Sequence, residues 1–112
     1  MQAAIFDALR QPLQITDLDD PEPDRYQVLL KVCRCGICGS DLHMTEDPVS
    51  GARQGDVLGH EYSGEVLEVG AEVTHLQVGD QVSVAPLRGC GDCDSCRRGD
   101  PAWCAQMQLI GG

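Results

Sequence analysis

Apolar residues along this chain come in short runs broken by glycine, proline and acidic side chains. Residues 2–9 and 12–18 predict two strands joined by a turn at Gln11-Pro12, with Leu13, Ile15 and Leu18 only approximately on one side. Asp19 to Asp24, with Pro21 and Pro23, is a stiff, solvated connection poorly suited to a helix. Tyr26 to Val32 is the clearest strand, placing Val28, Leu30 and Val32 on one face. It runs directly into Cys35–His43, where Gly36 and Gly39 permit sharp turns, and Ser40 to Glu46 predicts a short helical turn. Asp47 to Gly55, with Pro48, Ser50 and Gly51, reads as a mobile loop. In Gly64–Gly70, strict alternation puts Leu67 and Val69 inward, with Val66 and Glu68 on the opposite face. Val66 does not suit a solvated face, so both faces are expected to be partly covered. Val73 to Asp80 reads as a loop turning at Gly79, and Gln81–Ala85 as a further strand. The prediction is a mainly β domain with short helical turns.

From Pro86 to Cys104 the pattern stops: glycine, cysteine and charge replace aliphatic side chains. Such a lobe has no hydrophobic core of its own. Cys90, Cys93, Cys96 and Cys104 stand as C-x2-C-x2-C-x7-C. Two-residue gaps let thiolates converge on one ion, and four thiolates close a tetrahedral structural zinc site. Bound metal would supply the stability that the missing core cannot. An iron–sulfur cluster is the rival metal, but the bacterial ferredoxin run has a shorter final gap followed by proline, whereas Cys104 precedes Ala105. Four unliganded thiols are the bland alternative. Trp103 is expected to pack against the lobe beside Cys104.

Composition narrows the classes. At 112 residues the chain is one domain at most. Its formal charge of −10 argues against nucleic acid or an anionic membrane as partner, and Arg97-Arg98 reads as a solvated loop tip. No apolar run approaches the roughly 20 residues of a membrane span, and the N-terminus has no basic, then apolar, export pattern. Seven cysteines without such a signal point to a reducing, cytoplasmic setting with thiols used for metal.

Two more stretches carry chemistry. Cys38-Gly39-Ser40-Asp41-Leu42-His43 gathers a thiol, a hydroxyl, a carboxylate and an imidazole; Gly59-His60-Glu61 adds an imidazole and a carboxylate. Cys35 and Cys38 also form C-x-x-C, but no βαβ pattern surrounds them to support a thiol redox pair. Cys33 and Cys35 are most simply small apolar residues at the strand end. His60 alone would more often be a buried hydrogen-bonded histidine, and Ser40-Asp41 an ordinary helix cap.

Together, Gly59-His60-Glu61-Tyr62-Ser63-Gly64 and the five-residue step to Gly70 resemble the G-H-E-x2-G-x5-G signature of zinc-containing, medium-chain alcohol dehydrogenases. The Cys38–His43 stretch and the four-cysteine lobe stand in that family's order. The resemblance covers essentially the whole chain and implies an N-terminal GroES-like β-barrel domain over residues 1–112, with a zinc lobe at 86–104. It implies Cys38 and His60 as catalytic-zinc ligands, Asp41 orienting the histidine, and Glu61 as a further ligand or a neighbour of the metal. It implies Ser40 as the hydroxyl that takes the alcohol proton and His43 as the imidazole that passes it on. Zinc would polarise a small-molecule alcohol or polyol, and hydride would go to NAD or NADP. Gly39 after Cys38 leans towards the polyol or diol branch of that family.

The chain departs from that family in one large respect. It contains no G-x-G-x-x-G, so the nucleotide-binding domain is expected to be missing, and a third protein ligand would lie beyond Gly112. The expectation is a catalytic domain inactive alone and exposing enough apolar surface to self-associate as a homo-oligomer. The alternative is a stand-alone zinc-stabilised β module acting as an interaction or scaffold protein, which needs none of Cys38, Ser40, Asp41, His43, His60 or Glu61.

Overall fold

A computed structural model describes residues 1–49 and 51–111. Ser50, read above as part of a loop, and Gly112 lie outside the described residues. The chain is mainly β, as the alternating runs predict. Strands β1 (Gln2–Ile5) and β2 (Gln14–Asp17) form an antiparallel hairpin, pairing Gln2 with Asp17 and Ile5 with Gln14. The turn falls at Leu9-Arg10, ahead of the predicted Gln11-Pro12, with Arg10 in the left-handed region (φ 58°), and residues 6–13 lie outside both strands, which are shorter than predicted. Ile15 projects into solvent, 70 % exposed, because no layer covers that side of the hairpin.

Strands β3 (Val28–Gly36), β4 (Glu61–Val69) and β5 (Gln81–Ser83) form an antiparallel sheet in that order. β3 runs four residues past the predicted strand, and its last pair, Gly36 with Glu61, joins the two stretches that carry the chemistry. The inward assignment of Leu67 is corrected: Leu67 is 46 % exposed, whereas Val66 is fully buried. Leu29 pairs with Glu68 and Leu30 with Val66, so Leu67 is an extra residue opposite β3. Such a bulge resets the alternation, which no period-two reading can anticipate. A second register shift lies between Val32 and Arg34. Past it, Cys33 and Cys35 are exposed rather than packed, because β3 is an outer strand there.

The N-terminal hairpin is tied to the segment before β4 by main-chain bonds. Ile5 bridges Val57, the Phe6 N–H donates to the Asp56 carbonyl at 2.9 Å, and the Gly55 N–H donates to the Phe6 carbonyl at 2.9 Å. Ala3 and Phe6 are buried at this junction. Helix α1 (Gly39–Glu46) follows β3 directly. In the lobe, β6 (Leu87–Arg88) pairs with β7 (Gln108–Leu109), and between them lie α2 (Asp94–Arg97) and a 3-10 turn, Pro101–Trp103. Among the described residues the buried apolar set is thin: Ala3, Phe6, Val66 and Cys104. No helix is long and apolar enough to cross a membrane among the described residues.

Candidate metal centres

The cysteine lobe brings its four thiols together. The sulfurs of Cys90, Cys93, Cys96 and Cys104 all lie within 4.8 Å of one another. The turns that close the lobe aim amide hydrogens at these sulfurs. Cys90 N–H and Gln106 N–H point at Cys104 Sγ, each at 3.3 Å, and Cys93 N–H at Cys90 Sγ at 3.4 Å. Amide donors favour a thiolate over a thiol. The Cys93 amide, helped by that of Asp92, lowers the Cys90 thiol to about 6. At Cys96 the Gly91 amide acts in the same sense, but burial and the hydrogen bonds with Cys93, Cys104 and Cys90 prevail and raise that thiol to about 11. Without a cation the knot therefore ionises unevenly. A divalent ion among four sulfurs would remove the obstacle, because a coordinating thiol is deprotonated outright. The donor set fits structural zinc.

Gly89 makes this packing possible. A Cβ there would overlap Cys96 Sγ and come within 3.0 Å of the Pro101 Cβ. Trp103 does not pack on the lobe as expected; it is 80 % exposed. The 3-10 turn sends Cys104 inward and leaves the preceding ring in solvent.

The second centre is built at the join of β3, α1 and β4. Ligand atoms of Cys38, His60 and Glu61 lie within 4.8 Å of one another. Cys38 is the residue that caps α1, and Asp41 lies three positions later, in the first turn. One Asp41 oxygen, Oδ2, accepts from the Cys38 N–H at 2.9 Å. The other, Oδ1, lies 3.2 Å from His60 Nδ1. A single carboxylate thus fixes the backbone of the thiol and faces the ring of the imidazole.

His60 is 8 % exposed. Despite their proximity, Asp41 Oδ1 and His60 Nδ1 complete no well-aligned hydrogen bond, so both are buried polar atoms without a partner. Such orphaned groups are costly unless something else completes them. A cation at Nε2 would fix the ring proton on Nδ1, facing the Asp41 carboxylate. The residues present therefore fit a metal. Ser40 Oγ sits 3.3 Å from that same Nε2.

Glu61 is exposed at the start of β4, and its carboxylate lies over Gly36. A Cβ on Gly36 would stand 2.9 Å from Glu61 Oε2. A side chain at residue 36 would therefore push the flexible end of Glu61 aside. This role is visible only in the β3–β4 register. His43, on the exposed surface of α1, makes no hydrogen bond to Ser40 or His60 among the described residues. A cavity of about 460 Å³ borders His60 and Glu61 and is also lined by Arg34, Tyr62, Ser63 and Ser83. Sequence reasoning passed over Arg34; its pairing with Ser63, beyond the second register shift, is what brings it here.

Comparison with known proteins gives the family of this fold. Residues 24–112 match the family model of the alcohol dehydrogenase GroES-like domain. An L-threonine 3-dehydrogenase from Saccharopolyspora erythraea is 40 % identical over 114 residues, covering 99 % of this chain and 33 % of that protein. An NAD-dependent alcohol dehydrogenase structure superposes with a TM-score of 0.89 at 30 % identity, over 99 % of this chain and 33 % of that one. Galactitol-1-phosphate dehydrogenase from Escherichia coli gives a TM-score of 0.89 at 31 % identity, over 100 % of this chain and 32 % of the other. The chain spans about a third of the length of the curated relatives it matches. With its mainly β, GroES-like fold and two clusters of side chains that could each hold a metal, the chain belongs to the alcohol dehydrogenase GroES-like domain family.

Proposed function

We propose that residues 1–112 form the metal-bearing catalytic module of a zinc-dependent, NAD(P)-linked alcohol or polyol dehydrogenase. The observation that carries this reading is the Asp41 carboxylate, which engages the Cys38 amide with one oxygen and faces His60 with the other. A structural lobe alone has no use for that arrangement. In this reading Cys38, His60 and Glu61 hold a catalytic zinc, and Cys90, Cys93, Cys96 and Cys104 hold a structural one within 86–104. Bound zinc supplies Lewis-acid polarisation of an alcohol oxygen.

The chain's own residues do the rest. Asp41 keeps the His60 ring turned so that Nε2 faces the site. Ser40 Oγ, beside that nitrogen, accepts the alcohol proton. His43 lies one turn further along α1 with its ring in solvent and would pass the proton to water once a bound group bridges it to Ser40, which it does not touch directly. The nicotinamide needs a dinucleotide fingerprint, which these residues do not contain, so the reaction requires a nucleotide-binding partner domain. The similarity to galactitol-1-phosphate and L-threonine dehydrogenases supports a small hydroxylated molecule as substrate. Seven free cysteines support a reducing, cytoplasmic setting. A second copy of the chain is a further candidate partner.

Cobalt(II) in place of zinc tests the second centre. We expect two spectroscopically distinct equivalents, one of four-sulfur character and one with mixed donors. His60→Ala should abolish the mixed component and spare the four-sulfur one. A mixed-donor spectrum unchanged by His60→Ala would exclude the proposed site.

A further inference from the structure

The cysteine lobe stands on the stretch of main chain that carries His60. Its first leg leaves β5, where Ser83 pairs with Ser63 and the Val84 N–H donates to the Tyr62 carbonyl at 3.1 Å. Its second leg returns through β7, after which the Gly111 carbonyl accepts from the Gly59 N–H at 2.9 Å. Gly59 and Tyr62 bracket His60 and Glu61, two of the three residues of the second centre. The lobe therefore grips that ligand pair from both sides.

The second leg is a close fit. Gly59 and Gly111 both lie at positive φ, 117° and 83°. A Cβ on Gly111 would overlap the Gly59 carbonyl and stand 3.3 Å from the His60 nitrogen. On the other side, a Cβ on Gly59 would stand 2.8 Å from Cys35 Sγ, near the end of β3. The peptide joining Gly59 to His60 is thus clamped between β3 and the chain after β7, and close packing passes a shift of Gly111 to the root of the imidazole. What places Gly111 is the lobe. β6 reaches Cys90 after one residue, Gly89, and the Met107 N–H donates to the Cys104 carbonyl at 3.0 Å just before β7. Leu87 pairs with Leu109, Arg88 with Gln108, and the Ile110 N–H donates to the Pro86 carbonyl at 2.9 Å. A two-stranded ribbon is marginal by itself, and Leu87, Leu109 and Ile110 are all exposed. The ribbon keeps its register only while the thiol cluster at its tip is closed.

We propose that metal in the four-cysteine lobe positions His60 through Gly111 and Gly59, so that filling the first centre tightens metal binding at the second. Gly111 is a positioning residue: it contacts the main chain leading into a ligand and never the metal. The inference rests on the proposed reading of both clusters as metal sites. It adds an order of assembly, the lobe first and Cys38, His60 and Glu61 afterwards. It also gives the lobe a part in the chemistry beyond its own stability.

Amide exchange in the unmodified chain reads the link without any substitution. One equivalent of zinc added to the metal-free chain fills the lobe and should slow exchange of the Gly59 N–H about tenfold. The Val66 N–H, bonded to the Asp80 carbonyl in the core of β4, should not change. Cobalt(II) then reports the second centre. The chain with zinc in its lobe should bind cobalt there about tenfold more tightly than Cys90→Ser does. Gly111→Ala, with its lobe zinc retained, should show a similar loss and an altered mixed-donor spectrum. If Cys90→Ser fails to fold by circular dichroism, Gly111→Ala and the Gly59 amide decide. Equal cobalt affinity in the folded proteins, or a Gly59 amide indifferent to lobe zinc, would overturn the coupling and leave the proposed function standing. A second centre that takes up no cobalt even in the unmodified chain would overturn both.

Discussion

Cys104→Ser is expected to cost the chain its lobe. Cys104 is the buried member of the four-thiol cluster, and its sulfur receives the amides of both Cys90 and Gln106. Serine keeps the volume but offers a poor fourth ligand to a soft site. The lobe has almost no apolar core to fall back on, so loss of metal should mean loss of its fold. Structural zinc in small modules contributes on the order of 10 kcal/mol at neutral pH, far more than the buried apolar side chains of 86–104 could supply. Limited trypsin digestion reads this directly, since Arg88, Arg97 and Arg98 all lie in or beside the lobe. The zinc-loaded parent should resist cleavage at these sites, and the variant should be cut there rapidly while β3 and β4 survive. Equal resistance in the two proteins would mean that something other than the thiol cluster holds the lobe.

Asp41→Asn is expected to weaken the second centre selectively. The amide oxygen can still accept from the Cys38 N–H, so the start of α1 is preserved. What goes is the negative charge 3.2 Å from His60 Nδ1. Replacing a carboxylate behind a metal-binding histidine typically lowers metal affinity about 10- to 100-fold. Competitive zinc titration should show that loss in the weaker equivalent only, with the four-thiol equivalent unchanged. If both fall together, Asp41 acts through the fold rather than through His60.

How much of this was legible in the sequence follows from the distances involved. The lobe was readable because its four cysteines span 15 positions and their spacing alone constrains them. The strands were readable where alternation is regular and misread where it is not. The extra residue Leu67 reversed Val66 and Leu67 while leaving Glu68 outward and Val69 half-buried, and hydropathy carries no mark of a bulge. Trp103 was misjudged because an isolated aromatic suggests burial, whereas here a thiol cluster takes the place of a core. Cys38 and His60 were linked only by resemblance to a family; spacing could not say that 22 positions of chain fold back on themselves. The Gly36–Glu61 pairing is the physical link, and it needs the register of two strands. The space beside Gly36 and Gly89 is likewise a property of neighbours distant in sequence.

The central claim is that this chain carries two separate metal centres, a firm one in the lobe and a weaker one at Cys38, His60 and Glu61. Zinc counted by native mass spectrometry during titration tests it most directly. The account predicts one equivalent retained through purification and lost in Cys90→Ser, and a second taken up only at higher zinc and lost in His60→Ala. An unchanged zinc content in Cys90→Ser, or a second equivalent indifferent to His60→Ala, would contradict it.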